Sequence, residues 1–394
     1  MGESGPKGKP DAYRWVVLSA FMGPSIVAQM LWITFAALPT CSTAVLCPTG
    51  ANETWLTAIY PFVFFVISIP VGYLVDLRGF RSPVIVGAAL LAASGLLRPF
   101  APTFPLLLAV QGVGAVGQPF ILNSISKLVR GWFPASEVAT ATGVGTLSIF
   151  IGIALGLGLT PVLAEGWGIP AMFELYGVIA LLAFLLFAAV ARDPPGARPR
   201  EAPPTLRAIV GMLRVRNIVL LSALFFAGIG IFNSFATYVE PMLEARSVPL
   251  DLAGILGGGM ILGGIVGAVV LSVVSDRYHT LRTPLLAALG VSAILWALLG
   301  IVSGTVPELL VLIAVGFCFM ATLPLGLELA ARSVPPSSEG AANALVWEFS
   351  QIGGTVLIFV FEGVGQGFGW TPTFFLAAVM VAVMLVLGLA TVDK

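Results

Sequence analysis

Twelve long apolar segments follow one another along this chain, and short polar joins separate them. A helix needs about 20 apolar residues to cross a lipid bilayer. Lipid offers the backbone no hydrogen bonds, so only helices or a closed barrel span it, and long runs without strict alternation favour helices. The pattern predicts an all-α membrane protein with twelve transmembrane helices. The segments lie at about 14–38, 54–75, 83–101, 103–130, 137–163, 170–191, 215–243, 250–274, 283–303, 306–331, 339–364 and 370–391.

The composition agrees with this pattern. Of the 394 residues, 58% are hydrophobic and only 10% are charged. A soluble protein carries about a quarter charged residues. The composition therefore excludes an ordinary soluble enzyme, an intrinsically disordered chain and a nucleic-acid-binding protein.

The positions of the basic residues predict the orientation of the chain. If the N-terminus lies in the cytoplasm, all but two of the 19 Lys and Arg residues fall on the cytoplasmic side, and only Arg98 and Arg246 fall outside. Cytoplasmic loops of membrane proteins carry such an excess of Lys and Arg. We therefore expect a multi-pass protein of a plasma or inner membrane with both termini in the cytoplasm. Arg98 is expected to snorkel from the outer end of span 3 towards water.

Two pairs of segments indicate an internal repeat. Arg130–Glu137 reads RGWFPASE and Arg332–Glu339 reads RSVPPSSE, so Arg, Pro, Ser and Glu recur in the same order. Asp76 at the end of span 2 recurs as Asp276 at the end of span 8, at nearly the same displacement. Two pseudo-symmetric six-helix halves predict a secondary transporter that rocks about a site near the middle of the membrane. The predicted parts are a disordered cytoplasmic tail at 1–13, an N-terminal half at 14–191, a Pro- and Arg-rich cytoplasmic linker at 192–214 and a C-terminal half at 215–394.

The join between spans 2 and 3 resembles a known signature. Gly72–Arg81 (GYLVDLRGFR) is similar to the motif between helices 2 and 3 of the major facilitator superfamily, except that Leu77 replaces the first basic residue and Arg78 follows it. The resemblance implies the major facilitator fold and a gate at the cytoplasmic contact between the halves. There Asp76 would face the N-terminus of span 11, where the helix dipole favours a carboxylate, and Asp276 would face span 5. The alternative is that these charges only end their helices. The gating candidates are Asp76, Arg78, Arg81, Glu137, Asp276 and Glu339.

Motifs in spans 4, 5, 10 and 11 carry a narrower resemblance. Gln118–Leu122 reads QPFIL, Trp132–Thr140 reads WFPASEVAT, and Leu323–Glu328 reads LPLGLE, followed by SEG at 338–340. These motifs resemble the feline leukaemia virus subgroup C receptor-related solute carriers. Members of that family are associated with choline and ethanolamine uptake, haem export and pyridoxine transport.

The same resemblance implies an aromatic cage for the substrate. Trp32 is similar to the cage Trp in span 1, and Gln118 and Gln351 match Gln residues in spans 4 and 11. A Trp face binds a quaternary ammonium group by cation–π attraction. Phe232 and Asn233 stand where the family has a Tyr in span 7. The candidate substrate-binding residues are Trp32, Gln118, Phe232, Asn233, Trp347 and Gln351, of which Phe232 and Trp347 are candidates for the second wall.

Glu348 is the most unusual single residue, because it lies about 13 Å into span 11 with no Lys or Arg at that depth. A charge at the bilayer centre costs about 2.5–3.5 kcal/mol on insertion scales. Three roles for Glu348 are consistent with this position. It binds and releases a proton, it attracts a cationic substrate into a water-filled cavity, or it shares structural hydrogen bonds with Gln351. Glu328 is a second candidate for proton coupling, although an i,i+4 ion pair with Arg332 explains it equally simply.

Cysteine and histidine supply little chemistry. Cys41 and Cys47 share a predicted external loop, which permits a disulfide, with two free thiols as the alternative. The single His279 and the lack of any CxxC or His/Cys cluster predict no metal site and no cofactor. The expected partners are a small-molecule substrate, protons and the lipid bilayer, without nucleic acid, and the chain is expected to act as a monomer.

These features favour a secondary active transporter of a small organic solute, such as the cation choline, coupled to protons through Glu348. The chain contains no Walker motif, so its sequence gives no indication of direct ATP use. The alternative is a proton-coupled multidrug exporter of lipophilic cations, for which a central carboxylate among aromatic residues is also suited. A receptor on a transporter scaffold or an intramembrane enzyme has less support, because the chain carries no extra signalling domain and no catalytic constellation.

Overall fold

The computed structural model describes residues 12–38, 54–134, 137–194, 211–246, 248, 250–278, 280–335 and 339–392. The predicted disulfide partners Cys41 and Cys47 lie outside these residues, as does His279. Within the described part, 12 helices are long and apolar enough to cross a membrane, which confirms the prediction from the apolar segments.

The N-terminal half alternates long apolar helices with tight joins. Gly168 connects its last two helices with a φ of 83°, a conformation that only glycine adopts without strain. The helices are α1 (Tyr13–Ile33), α2 (Thr54–Arg78), α3 (Arg81–Leu97), α4 (Phe104–Leu122), α5 (Ile125–Trp132), α6 (Val138–Trp167) and α7 (Ile169–Val190).

The C-terminal half repeats this arrangement. Gly369 has a φ of 85° between its last two helices, the position equivalent to Gly168. The repeat that the sequence suggests therefore extends to a backbone detail. The helices are α8 (Arg216–Glu244), α9 (Leu250–Tyr278), α10 (Arg282–Leu299), α11 (Thr305–Phe319), α12 (Thr322–Arg332), α13 (Glu339–Phe368) and α14 (Thr371–Leu389).

Spans 4 and 10 are each broken at an equivalent point, where the apolar pattern predicts one continuous helix. Span 4 divides into α4 and α5, and span 10 divides into α11 and α12. In span 4 the backbone N–H of Asn123 donates to the carbonyl of Pro119 at 3.1 Å, and that of Ser124 donates to the carbonyl of Ile121 at 3.0 Å. A tightened turn thus interrupts the helix, and hydropathy does not reveal it because the flanking residues stay apolar.

The bundle has two chemically different ends. We call one end the basic face, because the Arg-bearing ends of α2, α5, α9 and α12 lie there. We call the opposite end the far face, where α1 ends in the 3₁₀ turn Thr34–Ala37 and α2 begins.

The halves share apolar core towards the far face. One buried cluster lies wholly in the N-terminal half, between Val17 and Ala191. The other belongs mostly to the C-terminal half but also includes buried residues from the far halves of the N-terminal helices. Those residues are Trp32, Ile33, Ala36, Ala37, Ala58, Tyr60, Ala115, Ile153 and Leu157.

Close packing of α9 against α11 provides a test of the fold. A Cβ at Gly267 would overlap the backbone carbonyl oxygen of Phe317, whereas a Cβ at Gly258, on the same helix, would meet nothing within 4 Å. We expect Gly267→Ala to lower the thermal unfolding midpoint of the detergent-purified protein by about 5 °C, since overpacking costs about 1–3 kcal/mol. Gly258→Ala should leave it unchanged or raise it, because Ala is the better helix former. Equal midpoints for the two variants would contradict this packing.

Candidate functional site

The two halves meet along a seam, which we define as the contact of α2 with α13 and of α6 with α9. The 3₁₀ turn Thr34–Ala37 adds a contact with α8 near the far face. A group held on the first side of this seam is bordered by α2 and α13, and α13 carries the predicted site residues Trp347, Glu348 and Gln351.

Polar and aromatic contacts close the seam at the far face. The hydroxyls of Thr54 on α2 and Tyr238 on α8 lie 3.0 Å apart. The Trp55 ring packs on the Phe359 ring of α13 with centroids 4.9 Å apart. The Glu362 carboxyl group interacts with Thr54 as well. The far ends of α2, α8 and α13 are thus joined across the two halves.

Trp32 lies at this closed end, on the N-terminal side of the seam. Its side chain is 5% exposed and belongs to the apolar cluster that both halves share. The indole N–H donates to the backbone carbonyl of Thr57 on α2 at 3.0 Å. This bond fixes the ring against α2, although the residue was selected from sequence only as one wall of a cage.

Asn233 lies on the opposite side, where α8 meets α13. Its amide nitrogen is 2.5 Å from the position that a Cβ on Gly354 would take, so the missing side chain leaves room for the amide. The same position is 3.5 Å from the Pro61 side chain of α2. Asn233 is buried, and the neighbouring Phe232 is half-buried against the shared cluster.

Glu348 lies further towards the basic face on α13 and is 7% exposed. Its carboxyl group interacts with the hydroxyl of Ser68 on α2, across the seam. Its Oε2 is buried and has no hydrogen-bond partner among the described residues. Gln351, the partner in the structural alternative, directs its amide towards the Ser350 hydroxyl at 3.4 Å. The structure therefore gives Glu348 a partner in the other half and not on its own helix.

The remaining substrate-site candidates are less tightly joined. Gln118 is buried on α4, five residues before the break at Asn123. Gln351 is buried one turn from Gly354, and Trp347 is half-buried beside Glu348. Among the described residues, no hydrogen bond connects Gln118 or Trp347 to the others. The structure thus joins Trp32 and Glu348 to α2 and packs Asn233 against Gly354 of α13, while Gln118, Trp347 and Gln351 are placed only by their helices.

The gating candidates are described in part. Arg78 is exposed and Arg81 is half-buried at the basic face. Glu137 forms an ion pair with Arg14 of its own half, with an Nη2–Oε2 distance of 2.9 Å. The described contact of Glu137 thus joins α1 to the start of α6, not one half to the other. The side chains of Asp76, Asp276 and Glu339 lie outside the described part.

Glu328, the second proton-coupling candidate, stands apart from Glu348. It pairs with Arg332 one turn along α12 at 2.9 Å, and the two side chains are 51% and 44% exposed. This is the local ion pair that the sequence offered as the simpler explanation.

Arg98 was expected to snorkel into water, and this expectation is wrong. The residue is 1% exposed. Its guanidinium donates to the carbonyl of Leu31 at 2.7 Å and to the side-chain oxygen of Gln111, and its Cζ lies 5.1 Å from the centre of the Phe35 ring. Gln111 inside an apolar span was the available signal, because a buried amide on α4 needs polar partners.

Arg246, the other basic residue predicted outside, is buried in a second polar cluster. Its Nε lies 2.8 Å from the Oε1 of Glu308 on α11, and the side chains are 7% and 0% exposed. Its Nη1 also donates to the carbonyl of Gly300 at 3.3 Å. Each half therefore has a buried arginine near the far face that ties several helices together. Across the described residues, no group of three or more His, Cys, Asp or Glu side chains forms a metal site.

Comparison with known proteins places this architecture. A family model for the Major Facilitator Superfamily matches residues 20–357 and, separately, 220–394. The chain is 26% identical to solute carrier family 49 member A3 of Danio rerio, over 91% of this chain and 79% of that protein. It is also 26% identical to the choline/ethanolamine transporter FLVCR2 of Homo sapiens, over 98% of this chain and 78% of that protein.

A solved structure supports the same fold. The crystal structure of a bacterial homolog of the human lysosomal transporter Spinster, inward-facing and unoccupied, matches with a TM-score of 0.74. The match covers 97% of each chain at 16% sequence identity. The family model, the transporter-named relatives and the twelve apolar helices point to transport, not catalysis, and to a small-molecule substrate. The chain belongs to the major facilitator superfamily and is a multi-pass membrane transporter.

Proposed function

We propose that this chain is a secondary active transporter that moves a small organic cation by alternating access between its two halves. Transporters of this type hold the substrate near the bilayer midplane, between repeats that rock against each other. The seam supports the proposal, because it carries the only buried carboxylate among the described residues that interacts with the other half at mid-depth. One chain supplies both halves of the site, so we propose that it acts as a monomer.

The orientation follows from the positive charges. We place the basic face in the cytoplasm, because cytoplasmic loops concentrate Lys and Arg. The far face is then external, and the Thr54–Tyr238 and Trp55–Phe359 contacts hold it closed. In this orientation the described conformation is closed towards the outside. Asp76 and Asp276 remain the proposed gate residues for the opposite state.

The observation that carries the substrate class is the unpartnered Oε2 of Glu348. Buried polar atoms nearly always have hydrogen-bond partners in folded proteins. A proton or a bound donor satisfies such an oxygen, and an ammonium ion supplies both a donor and the opposite charge. The relatives named choline/ethanolamine transporters carry cations of this size, so we propose an amino alcohol as the substrate.

The two named cations differ in a way that this site can detect. Choline carries three methyl groups on its nitrogen and has no N–H to donate, whereas protonated ethanolamine has three. Trp32 and Phe232 offer ring faces for either cation, but only ethanolamine can donate from nitrogen to Glu348. We therefore expect a Michaelis constant for ethanolamine about tenfold below that for choline, the value of one hydrogen bond to a charged group.

The test is uptake of each radiolabelled cation by purified protein in liposomes, with and without a pH gradient. We expect saturable ethanolamine uptake that competes with choline and responds to the gradient. Extrusion of many unrelated cationic dyes would favour the multidrug exporter instead. Failure to transport either cation under any gradient would refute the amino-alcohol proposal.

A further inference from the structure

Ser68 and Asn123 form a polar bridge to Glu348. Ser68 lies on α2 and is 6% exposed. The side-chain amide of Asn123 donates to the Ser68 hydroxyl oxygen at 3.0 Å and to the Ser68 carbonyl at 3.1 Å. On its other side the Ser68 hydroxyl interacts with the Glu348 carboxyl group. Three helical segments, from both halves, thus meet at one hydroxyl.

The chemistry of the hydroxyl gives this bridge a direction. A serine hydroxyl has one proton to donate and two lone pairs that accept. The Asn123 amide occupies one lone pair, so the proton is left free to be donated to the carboxylate of Glu348. A hydrogen bond to an ionised group is shorter and stronger than one between neutral groups. Asn123 thereby orients Ser68, and Ser68 orients Glu348.

Asn123 lies at the break in span 4, directly after the end of α4. From this position its side-chain amide reaches Ser68 on α2. Gln118, a predicted substrate-binding residue, lies five residues earlier, on α4.

We propose that Ser68 and Asn123 are positioning residues for Glu348, and that their bridge couples the occupant of Glu348 to the contact between the halves. The proposal rests on the proposed role of Glu348 in cation transport. Ser68 orients the carboxyl group, and Oε2, which has no hydrogen-bond partner among the described residues, is available to the cation. A cation that binds Glu348 draws charge away from Ser68, which weakens a link between α2 and α13 and favours their relative movement.

A thermal double-mutant cycle tests the bridge without any substrate. Ser68→Ala and Glu348→Gln should each change the unfolding midpoint of the purified protein, and the double variant should change it by clearly less than the sum of the two shifts, because the groups act through each other. Ser94→Ala is the matched control, since Ser94 is fully buried and donates only within its own half, to the carbonyl of Val110 at 2.8 Å. Its shift should add to that of Glu348→Gln. Additive shifts for Ser68 and Glu348 would overturn the bridge.

Ethanolamine uptake then distinguishes a Ser68 that orients Glu348 for the substrate from a Ser68 that only stabilises the fold. We expect Ser68→Ala to raise the Michaelis constant about tenfold while the maximal rate stays within about twofold, and Ser68→Thr, which keeps the hydroxyl, to restore it. In the Glu348→Gln background Ser68→Ala should add no further loss. An unchanged Michaelis constant in Ser68→Ala, with Glu348→Gln still defective, would refute the positioning role alone. Normal uptake by Glu348→Gln would instead refute the proposed function, and the thermal cycle would still decide whether the bridge exists.

Discussion

Glu348→Gln should lower ethanolamine uptake by about a hundredfold, the upper range for a hydrogen bond to a charged group converted to affinity. The amide is nearly the same size as the carboxyl group, so packing on α13 is kept. It carries no charge to attract a cation, and it cannot bind and release a proton. The residue is 7% exposed and faces Ser68 of the other half, so little bulk water reaches this position to solvate the cation in place of the carboxylate. Initial uptake rates in liposomes, at matched protein density, measure the effect.

Two controls make this result specific. Glu244→Gln removes an exposed carboxylate near the far end of α8 and should leave uptake within about twofold, as surface changes usually do. Size-exclusion profiles of the purified variants should match that of the original protein, because Glu348→Gln removes a charge that is costly to bury. Unchanged uptake together with an unchanged response to the pH gradient would eliminate Glu348 from the mechanism.

Arg98→Ala should have the largest effect on stability. The guanidinium donates to Leu31 of α1 and Gln111 of α4, and Gln111 in turn donates to the carbonyl of Leu56 on α2 at 2.8 Å. Truncation removes the donor of the Gln111 side-chain oxygen and leaves the Leu31 carbonyl with only the Gln111 amide at 3.5 Å, at about 1–3 kcal/mol for each weakened acceptor. We expect the thermal unfolding midpoint of the purified protein to fall by roughly 10 °C.

Arg332→Ala is the matched control, because this arginine also has a described ion pair but is 44% exposed on its side chain. Exposed pairs contribute about 0–1 kcal/mol, so its midpoint should fall by no more than about 2 °C. Arg98→Lys should lie between the two, since lysine keeps the charge but lacks the planar set of donors. Equal midpoints for Arg98→Ala and Arg332→Ala would show that the buried cluster does not hold the N-terminal half together.

Much of the architecture could be predicted because its cause is local. The twelve spans follow from the length and apolarity of each segment, which depend only on neighbouring residues. The repeat follows from matched segments about half a chain apart, and the structure extends it to Gly168 and Gly369. The breaks within spans 4 and 10 could not be predicted in the same way, because they lie in apolar sequence that hydropathy reads as continuous.

The sequence was enough to predict which residues belong to the candidate site, but not which side chains contact each other there. Depth along a helix follows from the rise of 1.5 Å per residue, which was enough to single out Glu348. The rotation of each helix and its neighbours depend on packing. For this reason the sequence could offer only a residue of the same helix, Gln351, as a hydrogen-bond partner in one of the three alternatives for Glu348, and the structure supplies Ser68 from the other half.

By itself, the sequence determined that this chain crosses a membrane many times, repeats one half in the other, and carries one carboxylate too deep to be explained by the interface. These properties are written along the chain, since each depends on residues close in sequence or on direct comparison of two segments. Only the tertiary structure decided that Arg98 is buried, that Asn123 at the break in span 4 bonds Ser68, and that Ser68 meets Glu348. Those properties join residues distant in sequence, and they exist only when folded helices bring the side chains together.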